Sequence, residues 1–319
     1  TEIITLPYSL ERSCQTVVNS SIDILLYLDI GVSAKTYFMS LSRLALVQIN
    51  TLGHSNTSGS RNIDYAILCD DYVVKGSERD FTEKIIRLSR IPANYKTPVL
   101  QKSSFKRSDL NLPDEAFLIG LPHSLFKYHP DFDFILDKIL EEIPNSYFYC
   151  AEAVNESMTK CLKDRWNASS KLILKRTIFY SRGGINDFLN ILRSVDIVIE
   201  SFHFGMGNTF YQAMSVGTPV VTYTQDKFNT RHTYAGYRQM GIVNPPIANS
   251  PEEYISIIKK LAFNKSYIKD IKNQIISKSN DFLFNDIDIH KEYIEFIKAS
   301  VEAAKNNSCL PNNWRPSKS

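Results

Sequence analysis

Lys127, Gly205, Gly207, Asn208 and Thr209 are the residues whose types and spacing most directly suggest chemistry. The stretch His203 to Val221 reads H-F-G-M-G-N-T-F-Y-Q-A-M-S-V-G-T-P-V-V and follows the apolar run Ile197 to Ile199. Gly205, Gly207 and Gly217 let backbone pass where a side chain would block it, and Asn208 and Thr209 stand where a helix should begin. The unpaired N–H groups of a first helical turn, with the helix dipole behind them, attract anionic oxygens. Such a turn can cradle a diphosphate, or it can be a tight βαβ turn and nothing more. Lys127 ends Ser124-Leu125-Phe126-Lys127, just after the apolar run Phe117 to Leu121, and would project at the same sheet edge. An ammonium beside a helix N-terminus is unfavourable unless an anion lies between them, and a diphosphate would resolve that conflict. Taken alone, the lysine also reads as a surface residue lying over Tyr128. Gln212, one turn after Asn208, offers an amide to ribose hydroxyls or is an ordinary exposed helix residue.

Two candidates lie in the first third of the chain. Asp29 follows the run Ile22 to Leu28, which reads as a buried parallel strand, so its carboxylate stands at a strand's C-terminal end, where open α/β sheets place ligands. A capping or turn role suits it equally. His54 sits in a Gly-, Ser-, Thr- and Asn-rich loop, Thr51 to Arg61, between two expected strands, and could donate to a sugar or phosphate oxygen or be simply solvated. No D-x-D motif stands at a plausible metal site: Asp70-Asp71 and Asp131-x-Asp133 fall at element boundaries, where capping explains them, so no metal is expected. No G-x-S-x-G elbow, Walker lysine or H-E-x-x-H occurs.

The elements that would position these groups alternate. Strands are expected at 46–50, 63–69, 85–88, 117–121, 147–150, 172–180 and 196–199. Helices are expected at 37–44, 77–84, 132–143, 153–165, 185–194, 228–240, 251–263, 266–277 and 286–304. This alternation means parallel sheets covered on both faces. Periodicity fails between Ile91 and Leu112, where prolines and basic residues gather. The expected organisation is therefore a first α/β domain over 1–100, a linker at 101–113, a second α/β domain over 114–285, a C-terminal helix at 286–305 and a flexible tail at 306–319.

With 37 basic against 34 acidic residues the charge nearly balances, so nucleic acid is not an expected partner. Five scattered cysteines without a C-x-x-C pair read as reduced thiols of a cytoplasmic protein. No apolar run reaches the roughly 18 residues of a membrane span.

The runs Leu28 to Tyr65 (L-D-I-G-V-S-A-K-T-Y-F-M-S-L-S-R-L-A-L-V-Q-I-N-T-L-G-H-S-N-T-S-G-S-R-N-I-D-Y) and Ser124 to Asp133 (S-L-F-K-Y-H-P-D-F-D) carry a family likeness. So do the glycine stretch and Thr233 to Gly241 (T-Y-A-G-Y-R-Q-M-G). In this order they resemble the O-linked N-acetylglucosamine transferase-like glycosyltransferases, glycosyltransferase family 41, especially the bacterial members. The resemblance implies a GT-B architecture, two Rossmann-like parallel-sheet domains facing a cleft, with the nucleotide sugar held mainly by the second. It implies an inverting, metal-independent transfer of a sugar, N-acetylglucosamine or a hexose, from a UDP-sugar to a hydroxyl or amide acceptor, often on protein, with no cofactor beyond the donor. By position, Lys127 matches the lysine that contacts the donor diphosphate. Asn208 and Thr209 match the helix-start residues that hold the same phosphates, and Ser124, Gly205 and Gly207 fall in the same donor-binding blocks. Gln212 stands where the family usually has an acidic ribose-binding residue. Asp29 and His54 lie in the block that faces the donor from the first domain and are the candidates for acceptor activation or sugar contact. Family members carry further first-domain strands, and usually helical repeats, ahead of the Leu28 block. Here about 27 residues precede it, so the first domain is expected to be truncated, with an upstream helical-repeat region of a longer chain as an expected partner. Two other readings stay open: a nucleotide-sugar-binding module without catalysis, and a UDP-sugar epimerase of the same architecture.

Overall fold

The alternation of apolar runs and helical segments resolves into two parallel sheets. The computed structural model describes residues 2–51, 53, 56–99, 101, 107–110, 113 and 115–317. Its internal contacts divide the chain into one unit of Thr1–Asn94 with Asp286–Ser319 and a second of Tyr95–Asn285.

In the first unit β1 (Ile24–Tyr27), β2 (Val47–Asn50), β3 (Tyr65–Cys69) and β4 (Lys84–Leu88) pair in that order, every neighbour parallel. β2 and β3 are buried throughout, as apolar strands between two neighbours should be. The run Ile22 to Leu28 differs from expectation: β1 is an edge strand, and Leu26 and Leu28 are 38% and 62% exposed. The helix expected over 77–84 is only a short 3-10 turn, Ser77–Asp80, because Lys84 is drawn into register with Tyr65 of β3. Sheet pairing overrides local propensity there.

The end of the chain returns to this unit. Helix Asp288–Lys305 buries Ile289 and Phe296 against Val47, Ile49, Tyr65, Ile67, Ile86 and Leu88. The residues after it, expected to be a flexible tail, lie along β4. Arg87 N donates to Trp314 O (2.9 Å), Asn313 N to Ile85 O (2.8 Å), and Ile85 N to Asn312 Oδ1 (2.7 Å). Trp314 meets the Phe296 ring at 5.9 Å. The Asn- and Pro-rich composition that suggests fraying instead supplies an edge cover anchored by Leu310 and Trp314.

The second unit contains β5 (Phe117–Leu121), β6 (Ser146–Ala151), β7 (Thr177–Tyr180), β8 (Ile197–Ile199), β9 (Val220–Tyr223) and β10 (Ile247–Ala248). They form one parallel sheet in the order β10-β9-β8-β5-β6-β7. Ile119, Leu121, Phe148, Ile197 and Ile199 anchor its core with Phe132, Leu136 and Ile139 of helix Asp131–Glu142 and Tyr254 and Ile258 of helix Pro251–Phe263. The strand expected over 172–180 is half helix: Ser170 caps Lys171–Lys175, and the strand starts only at Thr177, opposite Phe148. The helix expected over 228–240 splits into a 3-10 turn at Phe228–Thr230 and a helix at His232–Met240. Most of the linker expected at 101–113 lies outside the described residues; Arg107 holds Asp196 at 2.9 Å within the second unit.

Candidate functional site

After β5 the chain runs outward through β6 to β7, then returns to the other side of β5 as β8 and continues to β10. The order reverses between β5 and β8, and the loops leaving their C-terminal ends diverge to leave a crevice there. Lys127 lies on the first loop, in the 3-10 turn Leu125–Lys127 that follows Ser124. Gly205 lies on the second. Lys127 Nζ donates to Gly205 O at 2.8 Å and sits 4.1 Å from the centre of the Phe204 ring. The lysine is thus held over the glycine loop rather than snorkelling to the surface. Burial pushes its pKa down to about 8, opposed by the field of Glu200.

Glu200, at the end of β8, is buried, and burial raises its pKa. Its Oε1 accepts from Met206 N at 2.6 Å and Thr233 Oγ1 at 2.7 Å, pinning the loop that carries Gly205. This explains the block Thr233 to Gly241. Thr233 braces Glu200, and Tyr237 Oη accepts from Val220 N (2.8 Å) and donates to Val220 O (3.0 Å). A Cβ on Gly236 would lie 2.2 Å from the Phe210 ring, so only glycine lets helix His232–Met240 approach helix Asn208–Ser215 this closely. Gly207 precedes that second helix without a side-chain cap, which leaves first-turn N–H groups without a capping side chain.

Beside these residues is a pocket of about 380 Å³, lined by Ser124, Lys127, Thr209 and Gln212 together with His123, Tyr180, Arg182, Gly183 and Gly184, among others. Thr209 and Gln212, three apart on one helix, face it together. Asn208 is exposed at the helix start and is not part of the lining, and neither are Gly205 and Gly207. The lining residues His123, Tyr180, Arg182, Gly183 and Gly184 were not singled out from sequence. His123 is 3% exposed, its Nε2 makes no hydrogen bond among the described residues, and burial pushes its pKa down to about 3, so the imidazole is neutral. Tyr180 Oη is likewise buried without a partner. Two such orphaned groups, each costing about 1–3 kcal/mol, are what a pocket awaiting a polar ligand would contain. Arg182-Gly183-Gly184 joins β7 to helix Ile185–Ser194, a glycine turn of the same kind as Gly205 to Gly207, and that signal could have found it.

The other two candidates belong to the first unit. Asp29 follows β1, half-buried, and its carbonyl accepts from Val32 N and Ser33 N (both 3.0 Å), so its backbone shapes the turn into helix Ala34–Ser40, which Ser33 caps. Gly53 lies against it: a Cβ there would fall 1.6 Å from Leu28 O, a contact only glycine permits. His54 lies outside the described residues. Of the carboxylate pairs expected to act as caps, Asp133 does more. It is buried, accepts from Arg165 Nε and Nη2 at 2.8 and 2.9 Å, and accepts from Trp166 Nε1 at 2.9 Å.

A parallel sheet with glycine turns, a lysine and an uncapped helix start at its switch point is an α/β unit of the Rossmann class. The sequence profile of glycosyl transferase family 41 matches residues 96–294, and the chain belongs to that family. It is similar to a UDP-glucose:protein N-beta-glucosyltransferase of Actinobacillus pleuropneumoniae serotype 5b, 26% identical over 251 residues, covering 78% of this chain and 40% of that protein. It also resembles the probable UDP-N-acetylglucosamine–peptide N-acetylglucosaminyltransferase SEC of Arabidopsis thaliana, 25% identical over 242 residues, covering 72% of this chain and 24% of that protein. The chain therefore spans well under half the length of these relatives. Among solved structures, a mutant O-GlcNAc transferase of Thermobaculum terrenum superposes with a TM-score of 0.80 at 21% identity, covering 94% of this chain and 56% of that one. Anabaena HepE, solved with UDP and glucose, gives 0.60 at 15% identity, covering 91% of this chain and 81% of that one. The fold is the GT-B fold of these neighbours, built from parallel α/β sheets.

Proposed function

We propose that this chain binds a UDP-sugar in the second unit and belongs to an inverting, metal-independent transferase that moves N-acetylglucosamine or a hexose to a hydroxyl or amide of a protein acceptor. The observation that carries the reading is the convergence of Lys127 on the Gly205 loop, beside an uncapped helix start, at the switch point of the sheet. An ammonium and free backbone N–H groups there would stabilise charge developing on a leaving diphosphate. The names of the relatives, a UDP-glucose:protein and a UDP-N-acetylglucosamine–peptide transferase, support the donor and acceptor classes. In the donor pocket Ser124 and Thr209 offer hydroxyls to phosphate oxygens, and Gln212 an amide to ribose. Direct displacement with inversion requires a base for the acceptor proton, and Asp29, at the end of β1, is our candidate, with His54 from the same sequence block as the second. Five free cysteines fit a cytoplasmic setting.

One observation favours a second reading, nucleotide-sugar binding without transfer: the described pocket lining supplies cations, a neutral imidazole and hydroxyls, and no carboxylate. Incubation with UDP-glucose and UDP-N-acetylglucosamine, with and without acceptor peptides, tests the choice. Sugar-modified peptide with stoichiometric UDP supports transfer; UDP-sugar binding with no product selects the binding module; no binding of either donor refutes both.

A further inference from the structure

His129, Asp131 and His203 form an exposed cluster outside the donor pocket. His129 lies two residues after Lys127, Asp131 opens helix Asp131–Glu142, and His203 lies two residues before Gly205. Asp131 Oδ2 stands 3.2 Å from His129 Nδ1 and 3.2 Å from His203 Nε2. The imidazole centres are 4.4 Å apart with planes at 70°, and the three donor atoms all lie within 4.8 Å of one another.

Two imidazoles and one carboxylate are a donor set for zinc-like ions rather than for magnesium or calcium, which prefer oxygen alone. With metal–ligand bonds of about 2.0–2.1 Å in tetrahedral geometry, ligand atoms stand about 3.3–3.4 Å apart. Both histidine–carboxylate distances are already close to that spacing. The rings and the carboxylate are 44–67% exposed, so small side-chain rotations can bring the second nitrogen into place. The competing explanation is an ion-free arrangement in which His203 Nε2 donates to Asp131 Oδ2 (3.2 Å) and His129 Nδ1 accepts from Asp131 N (3.3 Å).

We propose that His129 Nδ1, Asp131 Oδ2 and His203 Nε2 bind one divalent transition-metal ion such as Zn²⁺, with water completing its coordination. The ion fastens the loop after β8 to the turn that carries Lys127. Because Gly205 O receives the Lys127 ammonium, an ion on His203 steadies one of the two strands of chain that make up the phosphate cradle. It acts as a tether and touches neither the donor nor the reacting atoms.

Titration of the full chain with Zn²⁺ by calorimetry, and with Co²⁺ by absorption spectroscopy, tests this. The expected result is one equivalent bound with micromolar affinity and a cobalt d–d band lacking thiolate charge transfer. His203→Ala and Asp131→Asn should each weaken binding by about tenfold or more, whereas Cys161→Ser and Cys309→Ser leave it unchanged. Asp131→Asn preserves shape, and circular dichroism confirms that each variant is folded. A thiolate band, an affinity in His203→Ala and Asp131→Asn unchanged from that of the native chain, or no saturable binding in the micromolar range would overturn the proposal.

Discussion

At Lys127 two demands conflict. Burial pushes its pKa down to about 8, yet a diphosphate needs the ammonium. Below pH 8 the charged form is already present in the free protein, so UDP affinity should be flat. Above pH 8 binding must draw a proton onto the lysine, so affinity should fall by up to about tenfold per pH unit. Calorimetric dissociation constants measured across this range check the slope. Lys127→Arg should remove it, since a guanidinium stays charged throughout. At Asp29 the expected effect is on chemistry alone. Asp29→Asn should leave UDP affinity unchanged and lower the transfer rate by about a hundredfold or more, as loss of a general base does. Equal loss of both would make Asp29 a structural residue of the turn before helix Ala34–Ser40.

At the scale of elements, the support for the site is concentrated in helix His232–Met240, where Thr233 braces Glu200 and Gly236 admits the Phe210 ring. Gly236→Val should force that ring aside and destabilise the second unit by at least about 1–3 kcal/mol, read as a lowered melting temperature together with weaker UDP binding. Many strands and helices were legible from hydrophobic spacing alone, β5 and helices Ile185–Ser194 and Pro251–Phe263 to the residue. The glycine turn and the helix start after it were legible because both have local signatures, and the structure brings Lys127 onto that turn. What was not legible depends on pairing. The edge position of β1, the truncation of the expected helix at 77–84 by β4, and the order that places β5 beside β8 are set by neighbours distant in sequence. His123 and Tyr180 escaped for the same reason, since nothing local marks a histidine or tyrosine as buried without a partner.

Across the whole molecule, the chain leaves its first unit after Asn94 and re-enters it at Asp286, so the first unit is discontinuous while the proposed donor pocket lies wholly within Tyr95–Asn285. Removing the residues after Ser308 strips Trp314 and its β4 contacts from the first unit. That should cost on the order of 2 kcal/mol, less than for a fully buried tryptophan because Trp314 is half-exposed, while UDP affinity stays as it was. Denaturant unfolding alongside calorimetry reads both quantities, and a parallel loss of UDP binding would mean that the tail supports the donor site. The central claim, that the β5–β8 switch point holds the donor diphosphate through Lys127, is tested most directly by UDP calorimetry on the native chain and on Lys127→Ala. Loss of a charge-assisted hydrogen bond predicts a dissociation constant raised about tenfold to a hundredfold; an unchanged constant would contradict it.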